Sequence, residues 1–353
     1  MKPVFVDVDT GVDDALALMY LLASPDADVI GIASTAGNVA VDQVCENNLG
    51  LLELCGATDI PVSKGAQQPL SCPLRSGKAH GPKGMGYADL PPTGRRLADY
   101  DSATAWVRAA HAHAGELIGV ATAPLTNLAL ALRAEPALPT LLRRLVIMGG
   151  AYDYRGNTNP VAEWNISVDP EAAAEVFAAW SKALDPQRLP MLCGLDLTQH
   201  IAMTPEMVAR LAAAANSTTT PMSADDQRGT RSTASNPLIR VIEDALRYYC
   251  EVHHDHAHGY VAHLHDPLAA AVALEPELVT TRAATVDVEL AGTLTRGMTV
   301  VDWSARWGRE PNAHIGAGVD PEEFFDRFIA RVGRFARETD EFRRRGTARD
   351  PRP

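Results

Sequence analysis

Residues 4–20 read Val4-Phe5-Val6-Asp7-Val8-Asp9-Thr10-Gly11-Val12-Asp13-Asp14-Ala15-Leu16-Ala17-Leu18-Met19-Tyr20. Val4 to Val8 is β-branched or aromatic apart from its aspartate and reads as a short buried strand. From Ala15 onward, Leu16, Met19 and Tyr20 are spaced like the inner face of a helix. The local structure is therefore strand, turn, helix. Asp7 and Asp9 stand two apart on one face of the strand end, and Asp13 and Asp14 fall in the first helical turn, about 100° apart around its axis. All four carboxylates are expected to converge on one small volume.

A helix N-terminus stabilises a carboxylate by about 0.3–1 kcal/mol, too little to offset repulsion among four anions held close together. A cation is the natural remedy. Oxygen-only ligands, with no Cys and no His pair in the motif, point to a hard ion, Ca²⁺ or Mg²⁺. Ca²⁺ is preferred if two carboxylates, a carbonyl and substrate hydroxyls must all fit. Solvated turn and N-cap residues are the alternative, one that suits a single Asp better than four. An EF-hand loop counted from Asp7 would need Gly and Glu where Val12 and Leu18 stand, so it fails. Asp7-Val8-Asp9-Thr10 also resembles the opening of haloacid-dehalogenase-like phosphatases, with Asp7 as nucleophile, but Gly11 and the Asp13-Asp14 pair have no place in that pattern.

Beyond this stretch, Asp28 to Thr35 reads as a second buried strand, ending in Ala36-Gly37-Asn38-Val39, with a long amphipathic helix through about Cys55 after it. Further strands are predicted at Leu117 to Thr122, Leu145 to Met148 and Met191 to Leu197. Helices are predicted at Ala103 to His113, Leu125 to Leu132 and Glu171 to Ala183. This alternation predicts an α/β fold: one domain with a mostly parallel twisted sheet flanked by helices, a Rossmann-like core and the active site at the carboxyl ends of the strands, where Asp9, Asn38 and Thr122 lie. The domain is expected over residues 1–337, with a polar loop insertion at about 214–235, and the arginine- and proline-rich residues 338–353 are expected to be a disordered tail.

The 353 residues, 46% of them hydrophobic, are enough for a large core. A net charge of −12 disfavours nucleic acid and anionic membranes as partners. No Gly-x-Gly-x-x-Gly or Walker loop follows any predicted strand, so no nucleotide cofactor is indicated. The five scattered cysteines, without a C-x-x-C, suggest neither a disulfide framework nor a zinc site, and with no signal peptide or apolar run of about 18 residues the expected location is cytoplasmic.

Several constellations carry candidate chemistry. Asn38 offers an amide beside the first strand's carboxylates, although Asn after Gly is also a common turn. His80 lies in a loop with Gly81, Pro82, Gly84 and Gly86 that either closes over a ligand or is a surface turn. Pro124 leaves carbonyls ahead of it without helical partners, so the main-chain oxygen of Thr122 could complete a hard-metal shell. After Met148-Gly149-Gly150, the residues Asn157, Glu163, Trp164 and Asn165 are an inventory for holding hydroxyls against an apolar wall, or a plain polar loop. His265-Asp266-Pro267 opens a helix behind His253, His254, His256, His258 and His263. That tract could hold a transition metal, but with carboxylates elsewhere the preferred reading makes Asp266 a distant third carboxylate and turns His265 toward the ligand.

These pieces stand in the order found in the nucleoside hydrolases of the inosine-uridine-preferring type, which the chain resembles from about Val4 to Val332: D-x-D-x-G-x-D-D, A-G-N-V, I-P-V with an H-G loop, P-L-T-N, M-G-G-A, G-N then E-x-N, and H-D-P-L-A. The resemblance implies hydrolysis of ribonucleosides to ribose and free base with one Ca²⁺ per subunit, in a homodimer or homotetramer. It implies that Asp9, Asp14, Asp266 and the Thr122 carbonyl hold the ion, and that Asp9 is the base for a metal-bound water. Asp13, Asn38, Asn157, Glu163 and Asn165 match ribose-binding positions, with His80, Met148 and Trp164 also expected to line the substrate. The same resemblance makes His265 the residue that assists the leaving base and Asp7 a support for the loop.

Overall fold

The apolar run behind the first aspartates forms the middle of a sheet. The computed structural model describes residues 1–75, 77–181 and 185–347, with residues 346 and 347 described by their backbone alone. The first half of the chain alternates strand and helix: β1 (Lys2–Val8), α1 (Val12–Leu22), β2 (Ala27–Ser34), α2 (Val41–Cys55), β3 (Val62–Lys64), α3 (Ser102–Ala112), β4 (Ile118–Ala121), α4 (Thr126–Ala134), α5 (Leu138–Leu141) and β5 (Arg144–Met148). Next come α6 (Trp164–Val168), α7 (Pro170–Trp180), β6 (Met191–Cys193), α8 (Leu195–Thr198), β7 (Ala202–Met203) and α9 (Pro205–Ala214). The chain continues with α10 (Pro237–Asp255), β8 (Ala262–His263), α11 (His265–Leu274), β9 (Val279–Val288), β10 (Thr299–Asp302), β11 (Ala313–Val319) and α12 (Pro321–Thr347).

Nine strands form one sheet in the order β10-β9-β11-β6-β5-β4-β1-β2-β3, while β7 and β8 pair separately. From β3 across to β11 every neighbour is parallel, and β9 and β10 close that edge antiparallel. The mostly parallel sheet read from the sequence is the sheet observed. Its middle runs β3-β2-β1-β4-β5-β6, so the connections lead away in opposite directions from β1 and β4. A crevice opens beyond the carboxyl ends of those two strands, where ligands bind in such sheets.

Side chains of β1 alternate between the two faces. Val4, Val6 and Val8 enter one core, shared with α1 and α11, and Phe5 enters the other, edge-on to Trp106 of α3 with ring centroids 4.8 Å apart. All ten residues of α11 are buried, and five of its last six are Ala or Val, small enough for close packing against α1 and the sheet. A helix apolar all round can lie inside the molecule, and this one brings residue 266 to the first strand.

Two expectations are corrected. The strand predicted over Met191 to Leu197 stops at Cys193. Gly194 then caps the short helix α8, because Leu195 donates its N–H to the Gly150 carbonyl instead of continuing the ladder. The tail expected to be disordered from residue 338 is helical to Thr347, supported by Arg344–Asp340 and Arg345–Glu341 pairs one turn apart and by Arg343, which caps the last carbonyls of α2. Residues 348–353 lie outside the described residues. The polar stretch between α9 and α10 forms no helix or strand but is tied down: Thr219 and Ser232 donate to Glu243, and Arg231 spans Asp244 and Asp89. No helix among the described residues is long and apolar enough to cross a membrane.

Candidate active site

The crevice at β1 and β4 gathers acidic side chains from both ends of the chain. The N-terminal turn of α1 contributes Asp13 and Asp14, and that of α11 contributes Asp266. Each presents an oxygen within 4.8 Å of the other two, and all three are buried. Asp9 follows directly after β1 and is fully buried; its Oδ2 accepts the Asn38 backbone N–H at 2.7 Å, and its Oδ1 has no hydrogen-bond partner. Thr122, just past β4, donates its hydroxyl to Asp14 Oδ1 at 2.7 Å, and Gly11 donates its backbone N–H to Asp14 Oδ2 at 2.8 Å.

Burial, then the charges of Asp14 and Asp13, push the Asp9 carboxyl well above the usual carboxylate range. Burial and Asp14 do the same to Asp13, and burial with Asp13, Asp14 and Asp9 raises Asp266. Asp14 is raised by burial, against the opposing hydrogen bonds from Thr122 and Gly11. Among the described residues the principal electrostatic neighbours of these four acids are one another, with no lysine or arginine. At about 4 Å two like charges repel by about 4 kcal/mol even at an effective dielectric of 20, so either protons or a cation must enter before all four can coexist. An all-oxygen donor set with one orphaned carboxylate oxygen fits a hard divalent cation.

Asp7 does not join them. It occupies the Phe5 face of β1, where Oδ1 accepts from Thr35 and Asn127 and Oδ2 from the Trp106 indole N–H at 2.8 Å. The expected convergence of all four N-terminal aspartates is thus three plus Asp266: β1 ends at Val8, so Asp9 escapes the two-residue alternation that holds Asp7 on the other side. Burial outweighs the three hydrogen bonds and raises Asp7 to about 6.

Close backbone approach shapes the floor. A Cβ on Gly37 would lie 2.1 Å from Asp9 Oδ2, and one on Gly11 would lie 2.7 Å from His80 Nδ1, so larger residues would displace the acid or the imidazole. The Asn38 side chain reaches Asp14 Oδ2 at 3.4 Å.

Imidazoles and a phenol line the other side. His80, 8% exposed, accepts the Val12 N–H on Nδ1 at 3.1 Å and stands 3.7 Å from Asp13; burial lowers its pKa to about 3, so it is neutral. His265 shares a 2.7 Å hydrogen bond between Nδ1 and the Thr198 hydroxyl, and burial holds its pKa well below the ordinary imidazole value. Sequence reasoning assigned no role to two residues here. Tyr249 of α10 is buried with its ring 4.9 Å from that of His80, and burial and the charges of Asp13, Asp266 and Asp14 raise its hydroxyl pKa. Its spacing from Ile242, Ala245 and Leu246, all buried, puts it on the inward face of α10, a signal present in the sequence. Thr198 had no such signal.

The expected hydroxyl-binding group spends much of its capacity inside the protein. Glu163 caps α6, its carboxylate accepting the N–H groups of Gly150, Asn165 and Ile166, and burial raises its pKa. Asn165 donates to the carbonyls of Thr122 at 2.7 Å and Met148 at 3.3 Å, which joins the ends of β4 and β5. Asn157 is exposed and accepts the Trp164 backbone N–H, and the Trp164 indole N–H is buried with no partner. A groove of about 910 Å³ along α2, α10 and α12 contains none of the acidic cluster.

The family model described as inosine-uridine preferring nucleoside hydrolase matches residues 4–326. This chain belongs to that family. Among its relatives, the pyrimidine-specific ribonucleoside hydrolase RihA of Escherichia coli O9:H4 (strain HS) is 35% identical over 336 residues, covering 95% of this chain and 99% of the relative. A purine-preferring ribonucleoside hydrolase from Gardnerella vaginalis superposes with a TM-score of 0.83 at 29% identity, covering 96% of this chain and 100% of the other. An inosine-guanosine nucleoside hydrolase gives 0.79 at 29% identity, with 94% and 99% covered. As a nucleoside hydrolase, the chain is an enzyme acting on N-glycosidic bonds, and the buried aspartates stand where a metal ion of that family could be held.

Proposed function

We propose that this nucleoside hydrolase cleaves ribonucleosides to ribose and free base using one Ca²⁺ per subunit, held by Asp9, Asp14, Asp266 and the Thr122 carbonyl. The observation that carries this is Asp9 Oδ1, a buried carboxylate oxygen without a partner, beside three further buried acids whose principal electrostatic neighbours among the described residues include no lysine or arginine. When bound, a divalent ion supplies positive charge for chelating vicinal hydroxyls and for lowering the pKa of water. Asp9 takes the proton from the attacking water. Asp13, Asn38, Asn157, Glu163 and Asn165 grip the sugar, and their negative and amide oxygens stabilise the oxocarbenium-like charge that develops as the bond breaks. His80, Met148 and Trp164 line the substrate. His265, oriented by Thr198 through Nδ1, assists the departing base.

Pyrimidine ribonucleosides are the first substrates to test, since the Escherichia coli relative is named for them, and purines the second, on the name of the Gardnerella vaginalis enzyme. We place the enzyme in the cytoplasm as a homodimer or homotetramer; five free cysteines, four of them buried, suit a reducing compartment. The phosphatase reading is not favoured, because the Asp7 carboxylate it requires as nucleophile is held by three donors. Ribose release from uridine, cytidine, inosine and adenosine, with Ca²⁺ and with a chelator, is the test. Turnover with Ca²⁺ that chelation abolishes supports the proposal; turnover unaffected by chelation, or phosphate release from p-nitrophenyl phosphate in its place, overturns it.

A further inference from the structure

The histidine tract at the end of α10 has no place in this chemistry, yet the fold folds it back on itself. Ala257 adopts φ 61°, a left-handed conformation unusual for a residue with a side chain, and with it the His258 N–H reaches back to the His253 carbonyl at 3.0 Å. This is a Schellman-type helix end without the customary glycine. It sets the His258 ring 6.1 Å from that of His253. On the other side, β8 delivers His263, whose ring lies 5.0 Å from that of His253.

We propose that His253, His263 and His258 form a binding site for a borderline transition-metal ion of the Zn²⁺ class, made of residues distinct from the carboxylate group. His263 is 8% exposed, and its Nδ1 is buried with no hydrogen-bond partner. His253 hydrogen-bonds the Val261 carbonyl through Nδ1 at 2.8 Å, which leaves Nε2 as its lone-pair nitrogen. His253 thus gives one nitrogen to a backbone carbonyl and keeps the other free, the pattern of metal-bound histidines, and His263 adds a buried nitrogen with no partner. Metal–nitrogen bonds of about 2.0–2.1 Å at a tetrahedral angle put two imidazole centroids about 5 Å apart, the spacing of this pair. Burial lowers the pKa of both rings to about 4, so no proton competes for either lone pair near neutrality. His258 is exposed, with no hydrogen bond to its ring among the described residues, and completes a three-nitrogen set by side-chain rotation, with water as a fourth ligand. Nitrogen donors select Zn²⁺, Cu²⁺ or Ni²⁺ over Ca²⁺, so two cations of different character can bind one chain.

The test uses the full-length enzyme kept in excess Ca²⁺, to which Zn²⁺ is added against a chromogenic chelator. One Zn²⁺ per chain is expected, with affinity lowered about a hundredfold or more in His263→Phe and about tenfold in His258→Asn. The second variant changes an exposed side chain and leaves the core intact. Crystals of the unaltered enzyme soaked in Zn²⁺ are expected to give an anomalous peak at the zinc edge between His253 and His263. Absence of bound Zn²⁺ overturns the proposal, and so does a peak confined to the aspartate cluster or to His254 and His256, or undiminished affinity in both variants.

Discussion

Asp14 and Thr122, 108 residues apart in sequence, are joined by a 2.7 Å hydrogen bond from the threonine hydroxyl to Asp14 Oδ1. It connects the first turn of α1 to the end of β4 and is the foremost of the hydrogen bonds that oppose the rise in the Asp14 pKa. Thr122→Val keeps the volume and the main-chain carbonyl but removes the donor. Leaving a buried acceptor unsatisfied costs about 1–3 kcal/mol. The expected outcome is a lower Tm without Ca²⁺ and weaker Ca²⁺ binding by calorimetry; an unchanged Ca²⁺ affinity would detach Thr122 from the site.

Metal-free protein should lose stability as pH rises. Asp9, Asp13 and Asp266 have folded-state pKa values well above the unfolded value of 3.8, so the folded state holds more protons and their contribution falls as pH rises toward the folded values. The buried histidines work the other way. With folded values of about 3 for His80 and about 4 for His253 and His263, they cost stability only as pH falls below about 6.5. Once the pH passes the unfolded histidine value of about 6.5, only the acids' falling contribution remains among these groups, so the Tm measured in chelator should decline as pH rises. Ca²⁺ should raise and flatten it; a flat profile in chelator contradicts the assignment.

Asp7→Asn separates support from nucleophile. The Oδ1 bonds to Thr35 and Asn127 survive, but the new amide sets an N–H against the Trp106 indole N–H. A loss of about 1–3 kcal/mol in denaturant unfolding is expected, with ribonucleoside turnover retained within about tenfold, or 1.4 kcal/mol of barrier. Loss of turnover by several orders of magnitude in a folded variant would make Asp7 part of the chemistry.

His265→Ala should lower kcat on purine ribonucleosides far more than on aryl ribosides whose leaving groups need no proton. Thr198→Val, which removes the hydroxyl that orients His265, should show the same selectivity more weakly. Equal loss on both substrate types would assign His265 a structural role.

The middle of the parallel sheet was legible because β1, β2, β4, β5 and β6 are short apolar runs alternating with helical patterns, and because β1 is followed at once by a helix start; β3 and the antiparallel edge were not read as strands. The acidic cluster was legible for the same reason: repulsion among so many aspartates has no cheap resolution. The turning-away of Asp7 was not, because it depends on strand alternation stopping at Val8, one residue before Asp9. Nor were the partners of Glu163 and Asn165, whose side chains serve the backbone of neighbouring loops and depend on tertiary placement. Met191 to Leu197 misled because Leu195 and Leu197 are buried in a helical turn with the same apolarity a strand would have.

Because Asp266 sits on a helix packed against α1, the acidic nest is closed by a residue that leaves the ribosome long after its other members. A nascent chain carrying only the first aspartates has nothing to close the nest, and the ion can lock the molecule only after α11 has slid beneath β4 and β5. Cation uptake would then act as the clasp of a nearly finished fold, its binding energy appearing as resistance to unfolding.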